Sequence, residues 1–304
     1  MTPPLHLEAD AARALLLPAI GGAIGAFTWR DKHVLRPMPE DAIADADVRR
    51  AASYPLVPYS NRIRDAQLDF SGNRHALERN FGAHPHAIHG VGWQRAWRVG
   101  ALSATRAMFS LDHDTHDDGN HSWPWPFRAT QCFDLAAGTQ DATLTATLTI
   151  QNIGTALFPF GLGWHPFFPR DATTSISFAA DAVWINDATQ LPQRQIGVTG
   201  PWDFASPRSF GDDAIDNVFC GWAGTATLRS PARGVVTRID ADSACRWLVV
   251  YAPADRDFVA LEPVTHETDA FNRHAAGEAH TGTRVLPPGA AFSCTMRIAV
   301  AALE

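Results

Sequence analysis

Three short stretches hold the side chains best suited to moving protons. The first joins Tyr59-Ser60-Asn61-Arg62 to His84-Pro85-His86-Ala87-Ile88-His89-Gly90. Histidine is the one side chain whose ordinary pKa, about 6.5, lies near neutrality, so a cluster of them points to proton transfer or metal ligation. Metal is the weaker reading. His84 and His86 fit an H-x-H pair, but no Glu follows closely, Pro85 would disturb the strand, and a third protein ligand is still required. Turn capping is the plain alternative for His84 and His86, whereas His89 before Gly90 reads as a loop residue reaching into a pocket.

The second stretch is Phe160-Gly161-Leu162-Gly163-Trp164-His165-Pro166-Phe167-Phe168. Its glycines give backbone clearance and its aromatics give flat apolar walls, so His165 would face a ring-shaped ligand. A lone histidine in such a setting is more often a hydrogen-bonded core residue than a catalyst. The glycine spacing is not a phosphate cradle, because no Gly-Lys-Ser/Thr or G-x-G-x-x-G pattern accompanies it.

The third stretch, Phe258-Val259-Ala260-Leu261-Glu262-Pro263, is an apolar strand ending on a carboxylate. Burying an ionised Glu is costly, so it needs a partner such as Arg62, or a task. A structural ion pair and a general base with a raised pKa are about equally supported by the residues alone. Nucleophilic catalysis has little support: there is no G-x-S-x-G elbow and no cysteine in a His-rich context. Acid–base chemistry by Glu and His remains.

The elements that must position these groups are strands. Ala142 to Ile150 alternates Thr with Ala, Leu and Ile, the pattern of a half-buried strand. Thr225 to Ser230, Arg246 to Tyr251, Asp257 to Glu262 and Ala291 to Val300 also read as strands, bounded by Pro, Gly or Asp turns. Only Asp41 to Ala52 looks locally helical, and Trp123-Pro124-Trp125-Pro126 reads as a rigid surface connection with aromatic anchors. Many short strands with frequent turns imply an all-β fold, a large antiparallel sandwich with few short helices. With 304 residues, 46% hydrophobic, and no linker, residues 1–304 are expected to form one domain with a sizeable core.

A formal net charge of −7 argues against a nucleic-acid partner. Cys132, Cys220, Cys245 and Cys294 form no C-x-x-C pair, so they read as ordinary buried thiols of a reducing cytosol. The apolar stretch Leu15 to Phe27 is preceded by acidic residues and broken by Pro18, Gly21, Gly22 and Gly25, which makes it neither a signal peptide nor a membrane span. The expected location is the cytoplasm, with a small molecule as partner.

Taken in order, the motifs resemble those of the aldose 1-epimerase (galactose mutarotase) family. The resemblance rests on Pro58-Tyr59-Ser60-Asn61-Arg62-Ile63, then His86-Ala87-Ile88-His89-Gly90 with Trp93 and Trp97, then Gly163-Trp164-His165-Pro166-Phe167-Phe168. It continues through Ile215-Asp216-Asn217-Val218-Phe219, Leu261-Glu262-Pro263 with Asp269-Ala270-Phe271-Asn272, and Leu286-Pro287-Pro288-Gly289. What it implies is a galactose mutarotase-like supersandwich, free of metal and cofactor, that holds a monosaccharide in an open cleft and acts as a monomer or homodimer. By resemblance Glu262 is the base at the anomeric hydroxyl, His165 the acid at the ring oxygen and His89 a second imidazole beside it. Asn61, Arg62 and Asp216 resemble the hydroxyl-binding residues, and Trp93 is expected as a wall of the cleft. The Val91-Gly92-Trp93 turn and the Trp-His-Pro setting of His165 depart from the family's usual pattern and leave the sugar undefined.

Other readings make different demands. An enzyme for hexose 6-phosphates needs extra cations at the cleft; Arg64 is a possible supplier, but Asp65 beside it and the acidic net charge weigh against charged sugars. A non-catalytic sugar-binding module on the same sandwich needs no base opposite an acid. A metal-dependent cupin-like enzyme needs a bound ion.

Overall fold

Alternation along Asp141–Asn152 sends Ala142, Leu144, Ala146, Leu148 and Ile150 inward and leaves the intervening threonines on the outer face. This strand pairs antiparallel with Phe127–Ala137 on one side and Ala291–Ala302 on the other, and these three are the middle of an eight-stranded sheet. Outer-face Thr147 and Thr149 hydrogen-bond across the ladder to Thr295 and Ser293, at 3.1 and 2.8 Å. The structure is a computed structural model and describes residues 2–115, 121–211 and 214–303.

A second sheet runs in the order Pro192–Gly197, Ala182–Asn186, Ile215–Cys220, Trp247–Ala252, Phe258–Val264, Gly163–Trp164 and Pro55–Leu56, with Phe167–Pro169 also paired to Phe258–Val264. Period-two alternation splits its strands between two apolar clusters. Leu248, Val250, Val259 and Leu261 join Leu144, Leu148 and Ile298 of the first sheet in the core between the layers. Val218, Val249, Ala260 and Val264 belong to a separate cluster on the opposite face, with Tyr54, Trp93 and Phe167. That far face is not left to water; the segment around residues 36–54 and the loops that follow cover it.

The antiparallel β-sandwich expected from the sequence is therefore what forms, with two short α-helices, Glu40–Ala44 and Ala270–Ala275, among the described residues. Strands occupy the expected places, with ends shifted by a residue or two at Asp141–Asn152, Trp247–Ala252, Phe258–Val264 and Ala291–Ala302. The Asp41 to Ala52 stretch is only partly helical: one turn, Glu40–Ala44, and a 3-10 turn, Val48–Arg50. Trp123 is not on the surface. It is fully buried, its ring against Tyr59, Phe158 and Phe271, because aromatic mass at a turn gains more from the core than from water. All four cysteines are free, and no described helix is long and apolar enough to cross a membrane.

Candidate active site

The far face of the second sheet floors a cleft of about 320 Å³. Phe258 and Glu262 project into it from one strand, Val249 and Tyr251 from the next, and Asp216 from the one beyond. The ladder fixes their spacing, with Val249 opposite Glu262, Tyr251 opposite Ala260 and Asp216 opposite Tyr251. On the other flank Phe167 pairs with Ala260. His165 enters from the bend before it, anchored by its N–H to the carbonyl of Tyr54 at 3.0 Å.

Two loops form the remaining wall. Arg62 and Ile88 face each other in a short antiparallel pair, and the residues beside them, Asn61 and His89, both adopt left-handed backbone, φ 59° and 62°. Non-glycine residues rarely sit there, and such strain concentrates at functional sites. Reciprocal bonds hold them: Asn61 N–H donates to His89 Nδ1 at 3.0 Å, and His89 N–H donates to the Asn61 carbonyl at 2.9 Å. Gly90, at φ 69°, passes so close to Val57 that a Cβ would lie 2.4 Å from its carbonyl oxygen, so only glycine fits. Arg62 donates to Asn61 Oδ1 at 2.9 Å and to Asp216 at 3.2 Å, tying loop to floor.

The residues proposed as acid and base meet. His165 Nε2 lies 3.1 Å from Glu262 Oε1, and both side chains are almost fully buried. Arg62, one candidate partner for Glu262, turns instead to Asp216, the more exposed carboxylate, and leaves Glu262 to the imidazole. Burial, with Asp216 adding to it and Arg62 opposing, raises the Glu262 carboxyl well above its ordinary value. Burial, helped by the Arg36 charge, pushes the His165 imidazole down to about 3. His89 is likewise held well below its ordinary value, by burial and then by His165. Low dielectric thus keeps the pair uncharged, with one exchangeable proton between carboxyl and imidazole. Moving that proton across the contact yields carboxylate and imidazolium, a base and an acid, without changing net charge.

His89, His165 and Glu262 place their ligand atoms within 4.8 Å of one another, a donor set that could hold a cation. The bonding of His89 disfavours that role. Its Nδ1 accepts from Asn61, so the neutral ring carries its proton on Nε2 and offers a donor where a metal needs a lone pair. Neither member of the H-x-H pair joins that set. His86 is buried with Nδ1 accepting from Asp65 N–H at 2.9 Å, while His84 accepts from His86 N–H at 3.3 Å and still lines the cleft.

Trp93, expected as a wall, stands behind one. It is buried in the 3-10 turn Gly92–Gln94, its ring 5.7 Å from Tyr54 and its N–H on the Gly90 carbonyl at 3.1 Å, and it supports Tyr54, which does line the cleft. Arg64 pairs with Asp269 instead of reaching the cleft. Sequence reasoning also missed several residues. Tyr251 was findable from strand register once Glu262 was placed; Tyr54 and Arg36 carried no motif. Buried His266, just past the Glu262 strand, accepts from Ser60 N–H through Nε2 at 3.0 Å and so holds the Asn61–Arg62 loop. Gly161 makes room for it, since a Cβ there would lie 1.7 Å from the ring.

Comparison with known proteins identifies the family and the fold. The aldose 1-epimerase family model matches residues 4–299. The chain is 30% identical over 296 residues to the uncharacterized protein YphB of Escherichia coli (strain K12), covering 92% of this chain and 93% of that one. It superposes with a TM-score of 0.88 and 26% identity on an Escherichia coli K12 crystal structure provisionally described as an aldose 1-epimerase, covering 99% of each chain. A galactose mutarotase-like protein from Clostridium acetobutylicum shares the fold at a TM-score of 0.84 and 18% identity, over 98% of this chain and 95% of that one. With the family model spanning nearly the whole chain, this protein belongs to the aldose 1-epimerase family.

Proposed function

We propose that this protein interconverts the α and β anomers of an aldose by acid–base ring opening and reclosure. Glu262 removes the proton of the anomeric hydroxyl while His165, as imidazolium, protonates the ring oxygen, and the C1–O5 bond breaks to give the open aldehyde. The proton lost by His165 and the proton gained by Glu262 leave the pair in its uncharged form. Rotation about C1–C2 exposes the other face of the carbonyl, and reclosure reverses both transfers. His89 Nε2–H is placed to steady the developing oxygen charge, and Asn61, Arg62 and Asp216 hold the sugar hydroxyls. The cleft lies at the lower end of the usual volume of small-molecule sites, roughly 300–1,000 Å³, which suits one sugar ring. Four free thiols suit a reducing compartment, and we place the protein in the cytoplasm.

One observation carries this reading. The buried Glu262 is bonded to His165 through Oε1, while its Oε2 and the His165 Nδ1 find no hydrogen-bond partner in the protein. Both residues line the same cleft as Asn61, Arg62, His89 and Asp216, so a carboxyl and an imidazole share one sugar-sized hollow. Polarimetry and exchange NMR across a panel of neutral and anionic aldoses test it: anomer exchange far above the spontaneous rate is expected for at least one. Binding of a sugar with no acceleration would instead identify a non-catalytic carbohydrate-binding module.

A further inference from the structure

Three guanidinium groups, Arg36, Arg49 and Arg62, line the cleft. Arg62 is committed to Asn61 and Asp216, and Arg49 to Asp47 at 3.0 Å. Arg36 differs from both. It stacks over Phe167 and Phe258, 4.1 and 4.4 Å from the ring centres, and donates to the Ala51 carbonyl at 3.2 Å. No carboxylate within ion-pair distance holds it among the described residues. Stacking fixes the plane of a guanidinium and leaves its edge N–H groups to donate, the geometry that suits a carboxylate or phosphate. A half-buried cation with no carboxylate in contact is costly, and burial lowers the Arg36 pKa, opposed by Tyr54 and by Asp257 beyond ion-pair distance. Phe167 also stacks on His165, 4.4 Å between ring centres, so Arg36 stands one aromatic ring away from the acid.

We propose that the aldose turned over here carries an anionic group, a carboxylate or a phosphate, bound by Arg36. The assignment rests on the anomer-exchange reading and narrows its substrate class. It also answers the earlier objection to charged sugars: the chain is acidic overall, but the cation needed at the cleft is present, supplied by Arg36 instead of Arg64.

The test compares kcat/KM, by exchange NMR, for glucose, glucuronate and glucose 6-phosphate in the parent protein and in Arg36→Met, at low and high NaCl. At least one anionic sugar is expected to exceed glucose by about tenfold or more, the worth of one charged hydrogen-bonded contact. The margin should shrink with salt and fall towards unity in Arg36→Met; whether glucuronate or glucose 6-phosphate shows it separates carboxylate from phosphate. Glucose turned over as well as both, or an unchanged ratio in a folded Arg36→Met, overturns the inference and leaves the anomer-exchange reading standing. If Arg36→Met does not fold, the parent decides alone: a preference insensitive to salt refutes it. No acceleration with any sugar removes both.

Discussion

Strands Asp141–Asn152 and Phe258–Val264 obey the same alternation yet solve opposite problems on their outer faces. The first presents Thr147 and Thr149, which bond to hydroxyls on the neighbouring strand. The second presents Phe258, Ala260 and Glu262 beneath loops, and its one charge-bearing group keeps an unpartnered oxygen. A sheet face that water can reach satisfies its polar groups and gains stability. We propose that a covered face carrying a carboxyl gives up stability to hold that carboxyl ready.

The sharpest way to break this contrast is Glu262→Gln. Loss of a placed base should cost roughly 10²- to 10⁴-fold in kcat, measured by polarimetry on the best aldose of the panel. Stability should move the other way. A carboxyl whose folded pKa is raised stabilises fully below its unfolded value and loses that contribution as pH rises through the folded one, so at neutral and alkaline pH the amide should melt no lower than the parent. A large fall in Tm would make Glu262 a structural member like the threonines.

Arg62→Met comes next. It frees Asp216 and Asn61 and leaves both Glu262 and His165 in place, so KM should rise about tenfold with a smaller change in kcat. Steady-state kinetics check it; a collapse of kcat alone would move Arg62 into the chemistry.

Acid stability probes the partner. The folded pKa of His165, about 3, lies below the ordinary 6.5, so its neutral form adds stability that is present above pH 6.5 and is lost as pH falls towards 3. His165→Asn should flatten the fall in Tm over that window, followed by circular dichroism. Thr147→Val on the open face should do least, within about 0.5 kcal/mol by urea denaturation and with no effect on rate.

How much of this was legible in the sequence follows from the same contrast. The threonine strand could be read directly, because a face exposed to water must alternate. Glu262 was visible as an anomaly, a carboxylate on an apolar strand. Its partner was not, since Arg62 and His165 are equally plausible as types, and only the third dimension sets Nε2 at 3.1 Å. Trp93 failed for a related reason. An aromatic after Gly-rich turns reads the same whether its ring faces a ligand or a Tyr that does, and here the 3-10 turn directs it behind Tyr54. Arg36 lies in Leu35-Arg36-Pro37, where nothing local shows that two phenyl rings await it.

Glu262 and His165 are held to act as one proton-exchanging unit, and a double-variant comparison reads that directly. Anomer-exchange rates of Glu262→Gln, His165→Asn and the combined variant, each verified as folded, should show a combined loss close to that of the worse single variant, as groups acting together do. Losses that multiply, or either single variant running at the parent rate, would contradict it.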